Sequence, residues 1–191
     1  MTSAFFARFL PPQRSRDPWW DDFLRRRPND PRNSTANLLD EAPIGPVNPL
    51  RTEVHSPDVM ARNVKEFALF LGADRCRIVE LFEQFGAGYK FAVVPVLAAE
   101  WDASRFSGIG GQAVVHRGLI VSTALSAYIR ELGYQATHKI SVDRERFAAA
   151  AAIGRLDSAG GLKVRGVGPS VHVAAPVLTE LALTPDGRVA K

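Results

Sequence analysis

The stretch that decides the fold is residues 118–140, GLIVSTALSAYIRELGYQATHKI. Its first half repeats apolar side chains every three or four residues, which predicts a helix with one face packed on a core. That face is formed by Val121, Leu125, Tyr128 and Leu132, with Ala124 and Ile129 beside them. Arg130 and Glu131 interrupt the apolar face, and Gly133 predicts the end of the helix. The sequence predicts a strand from Tyr134 to Ile140.

The chain downstream continues with a second helix and further strands. Asp143 is a candidate N-cap for an alanine-rich helix, Arg144 to Ile153, because a carboxylate accepts hydrogen bonds from the first helical N–H groups. Glycines punctuate the next segment at Gly160, Gly161, Gly166 and Gly168. Val171 to Leu178 is β-branched and apolar enough to predict one largely buried strand.

The chain upstream begins its globular part near Ser56. Ser56-Pro57 is a helix-start signal. The helical face that follows consists of Val59, Val64, Phe67, Ala68 and Leu71, and Gly72 predicts its end. Strands are expected at Cys76 to Leu81 and at Tyr89 to Val96. Pro95 lies within the second strand and predicts an edge position or a bulge, because proline lacks a backbone N–H.

The N-terminal segment differs in composition from the rest. Nine of the 13 prolines lie between Pro11 and Pro57. We therefore divide the chain into a proline-rich N-terminal arm, residues 1–56, and an α+β domain, residues 57–191. The arm carries an aromatic cluster, Trp19, Trp20 and Phe23, that is expected to pack either on the domain itself or on a partner.

Composition bounds the class of protein. The 191 residues are 46% hydrophobic and 23% charged, which is typical of one soluble globular domain. The net charge is +4 with its arginines spread along the chain, so no nucleic-acid partner is predicted. The apolar run at residues 4–10 is too short for a membrane span and is split by Arg8, which favours a cytoplasmic location. The four histidines lack metal-ligand spacing, so no metal site is predicted.

Two segments carry a family resemblance. IGRLDSAGGLKVRGVGPS (153–170) and LTELAL (178–183) resemble the corrinoid-binding domain of reductive dehalogenases and epoxyqueuosine reductases. Gly154, Gly160 and Gly168 keep the spacing of that family. The chain departs from the pattern at residues 157–159, where the family has Gly-Arg-Asn, and at Val167, where it has an aromatic residue.

The resemblance covers about residues 57–187 and implies a fold, a cofactor and site residues. The implied fold is a nitroreductase-like α+β domain with a mixed, largely antiparallel sheet flanked by helices. The implied cofactor is cobalamin, bound where glycines let the main chain approach it. The candidate binding residues are Gly154, Gly160, Gly161, Gly166 and Gly168, whose alternative role is simply to form turns.

The proton donor that the family needs has two candidates. His116 lies near the position where the dehalogenases have a tyrosine, and Asp143 lies where the epoxyqueuosine reductases have an aspartate. Their alternative roles are ordinary ones: a packed histidine and a helix N-cap.

The resemblance thus implies a reductive-dehalogenase-like protein that reduces a small organic substrate through a corrinoid. Cys76 is the one cysteine, too few for an iron–sulfur cluster, so electrons are expected from a separate iron–sulfur or flavin protein. The alternative is a degenerate, non-catalytic relative that acts as an interaction or assembly subunit. The wider fold also includes flavin-binding reductases, although no feature of the sequence indicates one.

Overall fold

A computed structural model of the chain describes residues 39–85, 88–99, 110–158 and 160–188. The aromatic cluster of the N-terminal arm, Trp19, Trp20 and Phe23, lies outside the described residues.

From residue 57 onward, three helices and eight strands follow one another in the described segments; residues 39–41 are also helical. The helices are α1 (Pro57–Phe70), α2 (Gly110–Glu131) and α3 (Arg144–Ala150). The strands are β1 (Arg75–Phe85), β2 (Tyr89–Ala98), β3 (Ala136–Thr137), β4 (Arg155–Leu156), β5 (Leu162–Lys163), β6 (Val171–Val173), β7 (Val177–Thr179) and β8 (Gly187–Arg188).

One sheet organises the molecule. Its strand order is β3-β7-β2-β1-β8, and β6 also pairs with β2. Every pairing in it is antiparallel except that of β1 with β8. Strands β4 and β5 form a separate two-stranded hairpin. The prediction of an α+β fold with a mixed, largely antiparallel sheet is confirmed.

The sheet separates two hydrophobic cores, and β2 contributes alternate side chains to each. Ala92, Val94 and Val96 join the core that contains Phe147 of α3 and Leu162 of the hairpin. Val93 and Leu97 join the core built with α1 and α2. This alternation is the period-2 pattern of a strand, and β2 is buried on both faces because each face carries helices or the hairpin.

Helix α2 begins eight residues before the stretch that predicted it. Val121, Leu125 and Ile129 are fully buried, as predicted, and Gly133 adopts a positive φ of 86° just after the helix. The strand expected from 134 to 140 is reduced to Ala136–Thr137, because it pairs only with the short β7 and a turn follows, in which Ile140 N–H donates to His138.

The strand predicted from Val171 to Leu178 is two strands, β6 and β7, both paired with β2. Pro95 lies in this central strand and not at an edge. The pairs Val93–Val177 and Val96–Val173 leave two residues of β2 facing three, so the predicted bulge is confirmed. The Pro95 carbonyl accepts from Ala174 N–H in the gap between β6 and β7. The N–H that Pro95 lacks would point to the same side, so the sheet loses no ladder hydrogen bond there.

The predicted starts of α1 and α3 are confirmed. Ser56 caps α1, with its Oγ accepting from Val59 N–H at 3.4 Å, and Asp143 caps α3. Val59 itself is 50% exposed, so its assignment to the buried face is wrong. Helix α3 ends at Ala150, three residues earlier than expected, and Ala152 then takes a positive φ of 55°.

Candidate functional site

The glycine-rich hairpin of β4 and β5 is closed by one carboxylate. Asp157 Oδ1 accepts from Gly161 N–H at 2.8 Å. The main chain adds two bonds across the same turn, from Gly160 N–H to Asp157 O at 3.0 Å and from Asp157 N–H to Gly161 O at 2.8 Å. The Gly160 and Gly161 amides are therefore committed within the turn and are not free donors.

The other glycines of the predicted site have different surroundings. A Cβ on Gly154 would lie 2.5 Å from the Lys163 carbonyl, so the absence of a side chain lets the chain pass close to β5. Gly160 and Gly166 have positive φ angles of 83° and 78°, with no atom within 4 Å of an added Cβ.

Two of the five predicted cofactor-binding glycines share one open pocket of about 760 Å³. Gly154 and Gly168 line it, beside Ile153 and Val164, two core residues of the hairpin face. Ala149, Ala152 and Pro169 complete the uncharged part of the wall, and the rest is basic: Arg75, Arg155, Lys163 and Arg165. Its volume is that of a small-molecule site. Glycine spacing predicted two wall residues, but the basic residues were missed.

A smaller pocket of about 340 Å³ shares Arg75, Ala152 and Ile153 with the first. Its Arg77 is anchored, donating to Ala152 O at 3.0 Å and Asp186 O at 2.9 Å. Burial, then the charge of Asp186, raises the pKa of the Cys76 thiol to about 12. A thiol that stays protonated is neither a nucleophile nor a metal ligand at neutral pH.

Asp143 has the geometry of a helix cap. Its Oδ1 accepts from Arg146 N–H at 3.0 Å, and its Oδ2 lies 3.4 Å from Arg146 Nε. The side chain is only 16% exposed. Both carboxylate oxygens thus have partners on the first turn of α3.

His116 lies on α2, half-buried, one residue before an arginine that ties the helix to α1. That residue, Arg117, donates to Gly72 O at 2.9 Å. Neither His116 nor Asp143 lines the pocket of Gly154 and Gly168. The structure therefore places the two candidate proton donors on different helices and outside the glycine pocket.

A buried polar stripe runs along α2 and was not predicted. Ser122, Ser126 and Arg130 recur every four residues and are 0%, 0% and 6% exposed. Arg130 donates to Ser126 Oγ and, at 3.2 Å, to Ala136 O. Arg130 was predicted to interrupt the apolar face, but it is buried with that face. The four-residue spacing of the polar residues was the available signal.

His138 lies beside this stripe. Its Nε2 is 3.4 Å from Thr123 Oγ1, whereas its Nδ1 is buried with no hydrogen-bond partner among the described residues. Burial, then the charges of Arg130 and Lys139, lowers the pKa of His138. The imidazole is therefore neutral at pH 7. Within the described segments, no group of three or more His, Cys, Asp or Glu side chains is placed to hold a metal ion.

No protein-family model matches the chain, and no curated protein does. Solved structures do. The structure described as suggesting a mechanism for B12-dependent dehalogenation, a reductive dehalogenase, is 26% identical over 83% of this chain, with a TM-score of 0.69. The chain is a reductive dehalogenase-like relative.

Two structures of a catabolic reductive dehalogenase, NpRdhA, are also similar to the chain. One is 24% identical with a TM-score of 0.70, and one, in complex with 3-bromo-4-hydroxybenzoic acid, is 25% identical with a TM-score of 0.69. Each match covers 83% of this chain and 25% of the other. The chain spans about a quarter of these dehalogenases. None of its described helices is long and apolar enough to cross a membrane.

Proposed function

We propose that this chain forms part of a corrinoid-dependent reductase that reduces a small organic substrate, with electrons supplied in trans. The observation that carries the proposal is the fold match to a B12-dependent reductive dehalogenase at 26% identity over 83% of the chain. The nitroreductase-like description of the fold and the cytoplasmic location belong to the same proposal.

The pocket of Gly154 and Gly168 supports a corrinoid at one edge. These glycines bring main chain to the wall, and Ala152 and Pro169 give an exposed uncharged surface against which a corrinoid would pack. Gly160 and Gly161 fit less well, because Asp157 already takes their amides. When bound, the corrinoid supplies the electron transfer to the substrate.

The protein's own residues would then provide a proton. His116 and Asp143 remain the candidates. Asp143 is engaged by Arg146 through both carboxylate oxygens, at 3.0 and 3.4 Å, so it would have to leave its cap to act.

The visible absorption spectrum of the purified protein after incubation with cobalamin and gel filtration tests cofactor binding. We expect stoichiometric cobalamin in the wild type and none in Gly168→Leu, because the new side chain enters the pocket. Gly88→Leu is the matched control: it also replaces a positive-φ glycine, but its added Cβ meets no atom within 4 Å. Gly154→Leu is unsuitable, since it collides with Lys163 and tests folding instead. A folded wild type that retains no cobalamin contradicts the proposal.

The source of electrons is tested separately. The single cysteine, Cys76, is half-buried and its thiol pKa is raised to about 12, which disfavours cluster ligation. We therefore expect turnover of a halogenated aromatic substrate only when a ferredoxin-like or flavin donor protein is added. Turnover with a small chemical reductant and no added protein would support the cofactor assignment but overturn the need for a protein donor.

The second candidate function is a non-catalytic interaction subunit. The observation that favours it is the apolar end of α1, where Phe70 is 83% exposed and Leu69 is 47% exposed. Failure to bind cobalamin, together with loss of a co-purifying protein in Phe70→Ser, would support this function over the first.

A further inference from the structure

The basic wall of the 760 Å³ pocket is its least explained feature. Arg75, Arg155, Lys163 and Arg165 line the pocket, and no Asp or Glu is among its described lining residues. These residues come from three separate segments: the start of β1, the β4–β5 hairpin and the turn after β5. The fold therefore gathers charges that are far apart in the sequence.

Two of the charges face each other directly. Arg155 and Lys163 are partners in the antiparallel ladder of β4 and β5, so their side chains emerge from the same face of the hairpin. Like charges at directly opposite positions destabilise a strand pair. The next pair, Leu156 and Leu162, is apolar: Leu162 is buried in the core, and Leu156 is 39% exposed. Within the charged pair Asp157 partly compensates Lys163, at 3.7 Å, whereas Arg155 forms no ion pair with a described carboxylate.

Arg77 and Lys163 have hydrogen-bond partners, whereas the three arginines of the pocket wall form no ion pairs with described carboxylates. Arg77, in the adjoining pocket, is anchored on the carbonyls of Ala152 and Asp186. Lys163 donates to Pro169 O at 2.9 Å and lies 3.7 Å from Asp157. Arg75, Arg155 and Arg165 form no ion pair with any carboxylate in the described part of the chain. All three residues are exposed.

We infer that this pocket binds a small phosphate ester that carries several negative charges. Guanidinium groups match phosphate oxygens with paired N–H donors, which favours phosphate where several arginines converge. A lone phosphodiester, such as that of a corrinoid's nucleotide loop, would leave most of the wall uncompensated. The exposed uncharged residues of the wall, Ala152 and Pro169, suit the organic part of the ester. The inference goes beyond the proposed function: the ester would occupy this pocket in place of a corrinoid, so its test is carried out without cobalamin.

Isothermal titration with inorganic pyrophosphate, without cobalamin and at low ionic strength, tests the site. The full chain should bind pyrophosphate, and Arg155→Gln/Arg165→Gln should weaken binding at least about tenfold, the effect of losing charge-assisted hydrogen bonds. Arg62→Gln is the matched control, because Arg62 is an exposed arginine on α1, outside the pocket. It should bind pyrophosphate like the wild type. Citrate replaces phosphate by carboxylate at similar charge and should bind more weakly.

Thermal unfolding gives a second readout, which distinguishes a loss of pyrophosphate binding from a folding defect of the variant. Pyrophosphate should raise the Tm of the wild type and of Arg62→Gln, but not that of the double variant, while the double variant without ligand should be at least as stable as the wild type. Equal pyrophosphate binding by the double variant, equal loss in Arg62→Gln, or citrate binding as tight as pyrophosphate would each overturn the inference. Absence of cobalamin binding with intact pyrophosphate binding would overturn the proposed function alone.

Discussion

At the scale of single residues, Gly133 shows how one position fixes two segments. It ends α2 with a φ of 86°, a conformation that L side chains rarely adopt. A Cβ added there would lie 2.6 Å from Arg51 Cα and 2.8 Å from Leu50 O. The glycine therefore permits both the turn after α2 and the close passage of the N-terminal segment.

Gly133→Ala should lower the free energy of unfolding by more than Gly160→Ala. Gly160 has nearly the same positive φ, 83°, but open space around an added Cβ. Gly160→Ala therefore measures the backbone cost alone, about 1 kcal/mol, and Gly133→Ala adds a collision with main chain, for a total of about 2–4 kcal/mol. Urea unfolding of both variants measures the difference. Equal losses of unfolding free energy would show that Leu50 and Arg51 move away from the new Cβ at no energetic cost.

His172 supplies a pH-dependent contribution to stability. It packs against α2, where its Nε2 would lie 2.7 Å from a Cβ on Gly118. Burial, then the charge of Arg144, lowers its pKa from 6.5 to about 4. The unfolded chain thus takes up the proton first as pH falls. The contribution is present above pH 6.5 and is lost as pH falls to about 4.

We expect the His172 contribution to reach up to about 3 kcal/mol across that window. Unfolding free energies from urea titrations at pH 7, 5.5 and 4 measure it. His172→Gln should flatten the pH dependence, whatever its effect at pH 7, whereas His55→Gln should keep it, because the His55 side chain is 81% exposed. A profile of His172→Gln parallel to that of the wild type would contradict the assignment.

At the scale of elements, α3 depends on its N-cap residue, Asp143. The helix has only seven residues, so its cap is a large share of its local stability. Asp143 supplies that cap, and Asn caps helices about as well as Asp without providing an acid. The two substitutions Asp143→Ala and Asp143→Asn therefore separate a structural role from a chemical one.

Asp143→Ala should lower the free energy of unfolding by about 1 kcal/mol, and Asp143→Asn should leave it nearly unchanged. Chemical denaturation measures both. If Asp143 only caps α3, Asp143→Asn should also keep the reductase activity measured with cobalamin and a donor protein. Loss of turnover in Asp143→Asn, with stability unchanged, would instead identify Asp143 as the acid.

Elements were predictable from the sequence where the pattern is local. The apolar spacing of Val121, Leu125 and Ile129 located α2, and Ser56 and Asp143 located two helix starts. Pairing was not predictable in this way. The position of Pro95 in a central strand depends on the gap between β6 and β7, which lie about 80 residues away in sequence.

The candidate site was predictable only in part, because it also depends on residues that are distant in sequence. The spacing of Gly154 and Gly168 indicated a shared location, and both line one pocket. The basic wall was missed because Arg75 is brought to the hairpin by the sheet, and a sequence shows such charges as scattered. The resemblance to dehalogenases, carried by residues 153–170 and 178–183, indicated the fold correctly.

At the scale of the whole molecule, residues before α1 are attached to the domain. Asn48 N–H donates to Arg130 O at 3.0 Å, and Thr52 N–H donates to Leu132 O at 2.9 Å, so two carbonyls at the end of α2 are satisfied. Tyr134 Oη donates to Thr52 O at 2.7 Å, and the Arg51 guanidinium lies over the Tyr134 ring at 4.2 Å. This segment, residues 45–54, closes the C-terminal end of α2.

Removing residues 1–38 and removing residues 1–55 should therefore have different effects on the Tm. The longer truncation uncovers the end of α2 and exposes the core at Val54, so it should lower the Tm by several degrees more than the shorter one. Tyr134→Phe in the full chain should reproduce a small part of that loss, because it removes one hydrogen bond of the segment. Differential scanning calorimetry measures all three proteins. The division of the chain at residue 57 stays a prediction, and equal Tm values for the two truncations would support it, since residues 39–55 would then add nothing to the domain.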